Sequence, residues 1–236
     1  MYYLATLVGR EDEGVQPGSA EFDAEVAKYA AFDERAGDAV AGGAALFPSA
    51  AAMHVRRDGG RTLITDGPFA EQAEVIGGFY VFDAADLDAV IELARLLPAA
   101  ADGAVEVRPM VMWSPHETPR ADWWLALLWE KPEAVIAPGS PEWDAGMAEH
   151  ERFGAKYAAA IRGGGALQPP SSATTLRVRD GELLLTDGPF TEFAEVVDGL
   201  YLFAAASRAE AAEIAAAIPL GEHGRTEVRQ IVDLGD

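Results

Sequence analysis

Cysteine is absent from this chain of 236 residues. Its absence removes disulfides, thiolate metal ligands and cysteine nucleophiles together, so stability has to come from packing. No uninterrupted apolar run reaches the roughly 20 residues that a membrane-spanning helix needs. The chain also opens on a strand-like segment instead of a basic stretch followed by an apolar one. A soluble, cytoplasmic protein with no membrane partner is therefore expected. Basic residues are few: 18 Lys and Arg stand against 39 Asp and Glu, a formal charge of −21. That balance argues against nucleic acid as a partner, because such binding rests on neutralising phosphates. Acidity speaks otherwise to solubility and not to fold. Ligand spacing of the His-x-x-x-His kind is missing among His54, His116, His150 and His223, and no metal site is expected. No dinucleotide or Walker pattern follows a strand, so the glycines at Gly42-Gly43 and Gly163-Gly164-Gly165 read as helix stops and not as phosphate loops.

What the chain does have is a repeat. Thr65-Asp66-Gly67-Pro68-Phe69 returns as Thr186-Asp187-Gly188-Pro189-Phe190, an offset of 121 positions from Asp66 to Asp187. The same offset pairs Glu71 with Glu192, Glu74 with Glu195, Tyr80 with Tyr201, Pro98 with Pro219, and Glu106-Val107-Arg108 with Glu227-Val228-Arg229. One offset from residue 2 to about residue 110 describes a duplicated domain without net insertion or deletion, at a common domain size. The division is residues 1–112 as copy 1, 113–121 as a linker and 122–236 as copy 2.

Read together, the copies begin with apolar, aromatic-rich strands at residues 2–8 and 123–129, which suit burial on both faces. Ser19 and Ser140 are N-cap candidates, and Pro141 suits the first helical position. In the first helix Phe22, Val26 and Tyr29 share a face at i, i+4, i+7; copy 2 has Trp143, Met147 and His150 there. A second strand is expected at residues 52–57 and 173–179, followed by hairpin turns at Asp58-Gly59-Gly60 and Asp180-Gly181. Returning strands lead to the Asp-Gly-Pro-Phe loop, an alternating strand at residues 78–82 and 199–203, an amphipathic helix closed by Pro98 or Pro219, and a last strand. Each copy is β-α-β-β-α-β, the ferredoxin-like pattern of an α+β fold. Its bare sheet face needs a partner, so the two copies are predicted to pack sheet to sheet as an intramolecular pseudo-dimer, a dimeric α+β barrel; further homo-oligomerisation is left open.

Leu167-Gln168-Pro169-Pro170, the run Ala173-Thr174-Thr175-Leu176-Arg177-Val178-Arg179-Asp180-Gly181, and Thr186 to Phe190 with Glu192 resemble the YCII-related family, specifically its DGPF branch. Copy 1 keeps Thr65 to Phe69, Glu71, Glu74, Gly77-Gly78 and Val105-Glu106-Val107-Arg108-Pro109. The resemblance implies the dimeric α+β barrel reached above. It also implies a His–Asp pair with the His on the first helix, acting in acid–base chemistry beside the sheet. His150 matches that helix position and Asp187 is the candidate carboxylate. Copy 1 departs from the pair with Tyr29, and Ala73 and Ala194 stand where family members often carry Lys.

The expected activity is binding of a small organic molecule in a cleft of the barrel. Tyr29, Asp66, Glu71, Glu192 and Arg177 are the ligand-binding candidates, with no cofactor. If the protein is catalytic, the reaction is a cofactor-free elimination, isomerisation or hydrolysis, so the enzyme would be a lyase, isomerase or hydrolase. A neutral imidazole oriented by a carboxylate is a competent general base or acid. The plain alternative for His150 is a core histidine bonded to a backbone carbonyl. For Asp66 and Asp187 it is turn chemistry, with Gly at positive φ, Pro fixing the next residue and Phe69 or Phe190 anchoring the loop. The competing class is a non-enzymatic regulatory or sensing protein, since the DGPF branch is often linked to alternative sigma factors.

Overall fold

The computed structural model describes residues 1–11, 18–58, 61–67, 74–115, 118–190, 194–221 and 224–234. Copy 1 runs β1 (Tyr2–Gly9), α1 (Ala20–Ala36), β2 (Val40–Ala45), β3 (Met53–Asp58), β4 (Arg61–Asp66), β5 (Val75–Asp83), α2 (Leu87–Ala94), α3 (Pro98–Asp102) and β6 (Ala104–Ser114). Copy 2 follows with β7 (Trp123–Glu130), α4 (Pro141–Lys156), β8 (Ile161–Leu167), β9 (Thr174–Arg179), β10 (Glu182–Asp187), β11 (Val196–Ala204), α5 (Arg208–Ala216) and β12 (Arg225–Gln230).

The first helices start where the serines place them. Ser19 Oγ accepts from the Phe22 N–H and Ser140 Oγ from the Trp143 N–H, both at 3.1 Å, which satisfies a backbone donor that the first turn leaves open. They end at Ala36 and Lys156, well before the glycine runs. The expectation that Gly42-Gly43 and Gly163-Gly164-Gly165 stop the helices is therefore corrected: these glycines lie in β2 and β8. The physical reason is close approach of neighbouring strands. A Cβ on Gly43 would lie 3.0 Å from the Phe79 carbonyl oxygen, and one on Gly164 would lie 2.8 Å from that of Leu200.

Within each copy four antiparallel strands lie in the orders β2-β5-β1-β6 and β8-β11-β7-β12, the ferredoxin-like arrangement. The sheets close on one another at two seams. β6 pairs with β8 from Met110↔Leu167 to Ser114↔Gly164. On the other side a bridge, Leu46↔Ile231, is flanked by Phe47 N–H to the Gln230 carbonyl at 3.0 Å and Val232 N–H to the Ala45 carbonyl at 2.9 Å. The predicted sheet-to-sheet α+β barrel is the observed architecture.

Alternation within strands sorts the side chains into three cores. Leu4, Trp123, Leu125, Trp129, Leu200 and Leu202 fill the barrel interior. Tyr3, Phe32, Tyr80, Phe82 and Val90 pack beneath the helices of copy 1, and Trp124, Phe153, Phe203, Ile214 and Val228 beneath those of copy 2.

The hairpins differ from expectation. The strand at residues 52–57 is not the second strand of its own copy; that place belongs to the glycine-rich β2. Instead β3 pairs with β12 of copy 2, from Met53↔Val228 to Arg56↔Arg225. The equivalent β9 pairs with β6 of copy 1 at Val105↔Leu176 through Val107↔Thr174. Each copy thus lends a hairpin to the other's sheet. Met53 and Val55 are buried in the outer core of copy 2, and Leu176 in that of copy 1. Burying these side chains contributes about 1.5–3 kcal/mol each, which ties the two halves together. Turn chemistry is as expected where it is described: Asp180 and Gly181 have φ of 52° and 81°, Gly67 83° and Gly188 99°, and Phe190 is buried in the barrel interior. Among the described residues no helix is long and apolar enough to cross a membrane.

Candidate functional site

Behind the exchanged hairpins stands a matched pair of buried clamps. Arg108 and Arg229, the last residues of the repeated Glu-Val-Arg run, are 1% and 2% exposed. Arg108 Nη1 donates to the Val197 carbonyl at 2.6 Å, and Arg229 Nη1 donates to the Ile76 carbonyl, the residue equivalent to Val197. Arg108 also pairs with Glu106, whose Oε2 accepts the Phe190 N–H at 2.9 Å. Every one of these carbonyls and the Phe190 amide lies in the opposite copy. The Glu-Val-Arg repeat therefore holds the copies together and fixes the loop that carries the Asp-Gly-Pro-Phe motif, so it is scaffold.

The chemistry-bearing group of copy 2 is on α4. His150 follows the inward stripe read from the sequence and meets Tyr201 of β11, its Nδ1 3.0 Å from the hydroxyl oxygen. The two rings stack, with centroids 5.9 Å apart and planes at 26°. Phe153, one turn on, crosses Tyr201 edge-on at 5.0 Å. Burial lowers the His150 pKa against a weaker opposing pull from Glu149, so the imidazole is neutral at pH 7. Burial also pushes the Tyr201 phenol up to about 12, which keeps the hydroxyl protonated. His150 Nε2 has no protein partner among the described residues and is not among the buried unpartnered atoms.

Copy 1 builds a different group on the same frame. Tyr29, at the position of His150, stacks on Tyr80 with centroids 6.4 Å apart and planes at 19°. Tyr80, equivalent to Tyr201, lies beside Asp33, whose carboxyl burial lifts above the usual aspartate value against the opposing influence of the Tyr80 hydroxyl. The position of Asp33 is held by Gly154 in copy 2. One copy therefore offers the tyrosine a carboxylate and the other an imidazole.

Asp187 does not join His150. It is exposed at the end of β10, opposite Thr174, on the hairpin lent to the sheet of copy 1, and it is not among the charges acting on His150. Asp66 occupies the matching place in the sheet of copy 2 and pairs with Arg208 of α5 at 2.6 Å. Arg177 stacks over the Phe190 ring, 5.1 Å from its centroid, which ties it to the anchored loop. Glu71 and Glu192 lie outside the described residues. Tyr80, Tyr201 and Asp33 escaped the sequence reading. The tyrosines were visible as a repeated pair, and Asp33 falls one helical turn after Tyr29, the i+4 spacing that shares a face. Among the described residues no three His, Asp or Glu side chains gather in a group that could hold a metal ion.

A cleft of about 390 Å³ opens at the Leu46–Ile231 seam under the first half of α1, lined by Phe22, Val26, Phe47, Ile231 and Val232 with Asp23 and Asp233 at its edge. It does not include His150.

The model of a family described as YCII-related domain matches residues 1–114 and again residues 123–235. Uncharacterized protein R00369 of Rhizobium meliloti (strain 1021) is 44% identical over 78 residues, 32% of this chain. The chain spans 63% of the length of that curated relative. Among solved structures, a protein provisionally assigned as chlorite dismutase TA0507 aligns with a TM-score of 0.43 at 11% identity, over 100% of this chain and 96% of that one.

Proposed function

Because this chain belongs to the YCII-related family, with both of its halves matched by the family's domain, we propose that it binds a small organic molecule beside the first helix of copy 2, with His150 as its acid–base group. The observation that carries this reading is the contact between His150 Nδ1 and the Tyr201 hydroxyl at 3.0 Å. A neutral imidazole whose Nδ1–H is held by an acceptor turns the lone pair of Nε2 outward, the state a general base needs. In the tautomer with its proton on Nδ1, the phenol oxygen accepts and takes the orienting part that a carboxylate was expected to play. With only the weaker pull of Glu149 in place of a paired carboxylate, the imidazolium is less stabilised, so His150 is a weaker base and a stronger acid than in a His–Asp pair. That favours proton donation to, or brief proton abstraction from, an activated carbon or oxygen acid, as in a cofactor-free elimination, isomerisation or hydrolysis. The aromatic wall of Tyr201 and Phe153 supports a flat, aromatic or oxygenated ligand. In copy 1, Tyr29 and Asp33 keep the frame without the imidazole.

The second reading, a non-enzymatic sensing protein partnered with an alternative sigma factor, is favoured by the separation of Asp187 from His150. The two readings part on one experiment: a ligand-observed NMR screen of small aromatic and oxygenated acids against wild type, His150→Gln and Tyr201→Phe. Ligands that lose at least about tenfold in affinity in His150→Gln, a difference of about 1.4 kcal/mol, support the acid–base site. Ligands that bind all three alike place recognition elsewhere and favour the sensing role.

A further inference from the structure

The two exchanged hairpins carry different side chains at equivalent places. On copy 2's own hairpin, Thr175 donates its hydroxyl to the Gly188 carbonyl at 3.1 Å, an uncharged bond. The equivalent residue on the hairpin of copy 1 is His54, 4% exposed on β3 and directly opposite Glu227 of β12. Its Nδ1 lies 3.1 Å from Nη1 of Arg225. Arg225 is itself 4% exposed; its Nε donates to Glu195 at 2.6 Å and its guanidinium covers the Trp129 ring at 4.8 Å. At the matching places copy 1 has Ala104 for Arg225 and Val8 for Trp129. The His54–Arg225–Glu195 group thus belongs to one junction, while the other, with Ala104 and Val8 at the matching places, keeps the Arg108–Glu106 pair.

A guanidinium has five N–H donors and no acceptor. The 3.1 Å contact therefore requires a bare lone pair on His54 Nδ1, which fixes the imidazole as neutral with its proton on Nε2. Protonation would place an N–H of the imidazolium against an N–H of Arg225, with both charges away from water, and the bond would become a repulsion. We propose that His54 is a pH-sensitive latch that holds the β3–β4 hairpin to copy 2 while neutral and loosens it on protonation, whereas the Thr175 side has no such switch.

The groups facing His54 among the described residues decide the balance. On β12, Arg225 and Arg229 oppose an imidazolium and Glu227 favours one. Glu227 is already shared, 3.7 Å from Arg225 and 3.6 Å from Arg229, and Glu195, preceding β11, is engaged by Arg225. At the end of β4 the Gly67 backbone also favours the charged ring. Burial, the largest influence, and the two arginines together outweigh Glu227 and hold the His54 pKa below 6.5. For a histidine lowered on folding, the contribution to stability is complete above the ordinary imidazole value and is lost as pH falls below it.

Hydrogen exchange of the whole chain tests this directly, with residues 53–66 as the switch and residues 174–187 as the internal control. After correction for intrinsic exchange, protection of the first hairpin should fall by up to about tenfold per pH unit below about pH 6.5, the limit for one proton. The second hairpin should stay level. His54→Thr, which installs the residue used at position 175, should level the first hairpin too. His150→Gln leaves the latch in place and should retain the difference. Equal pH responses of the two hairpins in wild type, or a response that survives His54→Thr, would overturn the latch.

Discussion

The two copies share a backbone plan and differ in what they bring to equivalent tyrosines. Tyr80 meets Asp33 and stacks on Tyr29, whereas Tyr201 meets His150 and has Gly154 where the carboxylate would be. The same division appears at the hairpin junctions, with Thr175 on one side and His54 with Arg225 on the other. The clamps, by contrast, are kept in both: Arg108 and Arg229 reach the same carbonyl position across the interface. Duplication with fusion has left the interlocking elements symmetric and allowed the titratable groups to diverge, so that copy 2 and its junction hold both described histidines, His54 buried and His150 half-buried. The lesson is that symmetry marks scaffold here and asymmetry marks candidate chemistry.

The largest effect should come from breaking what is symmetric. Arg108→Ala removes the cation paired with the Glu106 carboxylate inside the protein, and Arg229→Ala removes one of the two cations beside Glu227 together with the donor to the Ile76 carbonyl. Each should cost about 3–5 kcal/mol in urea unfolding, the usual penalty for removing one partner of a buried pair. A loss under about 1 kcal/mol in either would mean that the clamp does not hold the copies.

The seams offer a smaller contrast. A Cβ on Gly165 would lie 2.7 Å from the Met112 carbonyl oxygen and 2.4 Å from Met110 Cε, while the equivalent position in copy 1 is already Ala44. Gly165→Ala should therefore destabilise by about 1–3 kcal/mol, as overpacking does. Gly146→Ala, on α4 with nothing within 4 Å of its added Cβ, should instead stabilise by up to about 1 kcal/mol. Thermal unfolding separates the two signs.

Transplanting the missing carboxylate sharpens the comparison further. Gly154→Asp places in copy 2 what Asp33 supplies in copy 1, and a negative charge near the imidazole should raise the His150 pKa. An NMR titration that shows no rise would deny that positions 33 and 154 serve the same tyrosine. The smallest effect belongs to Asp33→Asn. Asp33 is raised on folding, so its charged form is disfavoured in the native state at neutral pH, and its contribution improves as pH falls. The amide should raise stability slightly at pH 7 and remove that acid-side gain, which unfolding curves at two pH values would show.

Much of this fold was legible in the chain. Ser19 and Ser140 announced both first helices, Asp180-Gly181 announced a hairpin, and a constant offset announced the duplication. What local pattern could not convey was partner choice. A strand such as residues 53–58 reads the same whether it joins its own sheet or another, because alternation reports burial and not the identity of the neighbour. The glycine runs misled for a related reason: Gly43, Gly164 and Gly165 are small because neighbouring strands press on them, a demand that arises only in the folded barrel. The site was half legible. Helical spacing placed His150 on the inward face, but Asp187 rides the exchanged hairpin away from it, and Tyr201 becomes its partner through the packing of α4 on β11.

The most direct test of the acid–base role of copy 2 is an NMR titration of the His150 ring in wild type and in Tyr201→Phe. The imidazolium needs an acceptor at Nδ1, and a hydrogen bond to a charged donor is the stronger kind. Removing the phenol should therefore lower a pKa that already lies below 6.5. A His150 that does not titrate between about pH 5 and 9, or that titrates identically in both proteins, would contradict a solvent-reachable imidazole held by Tyr201.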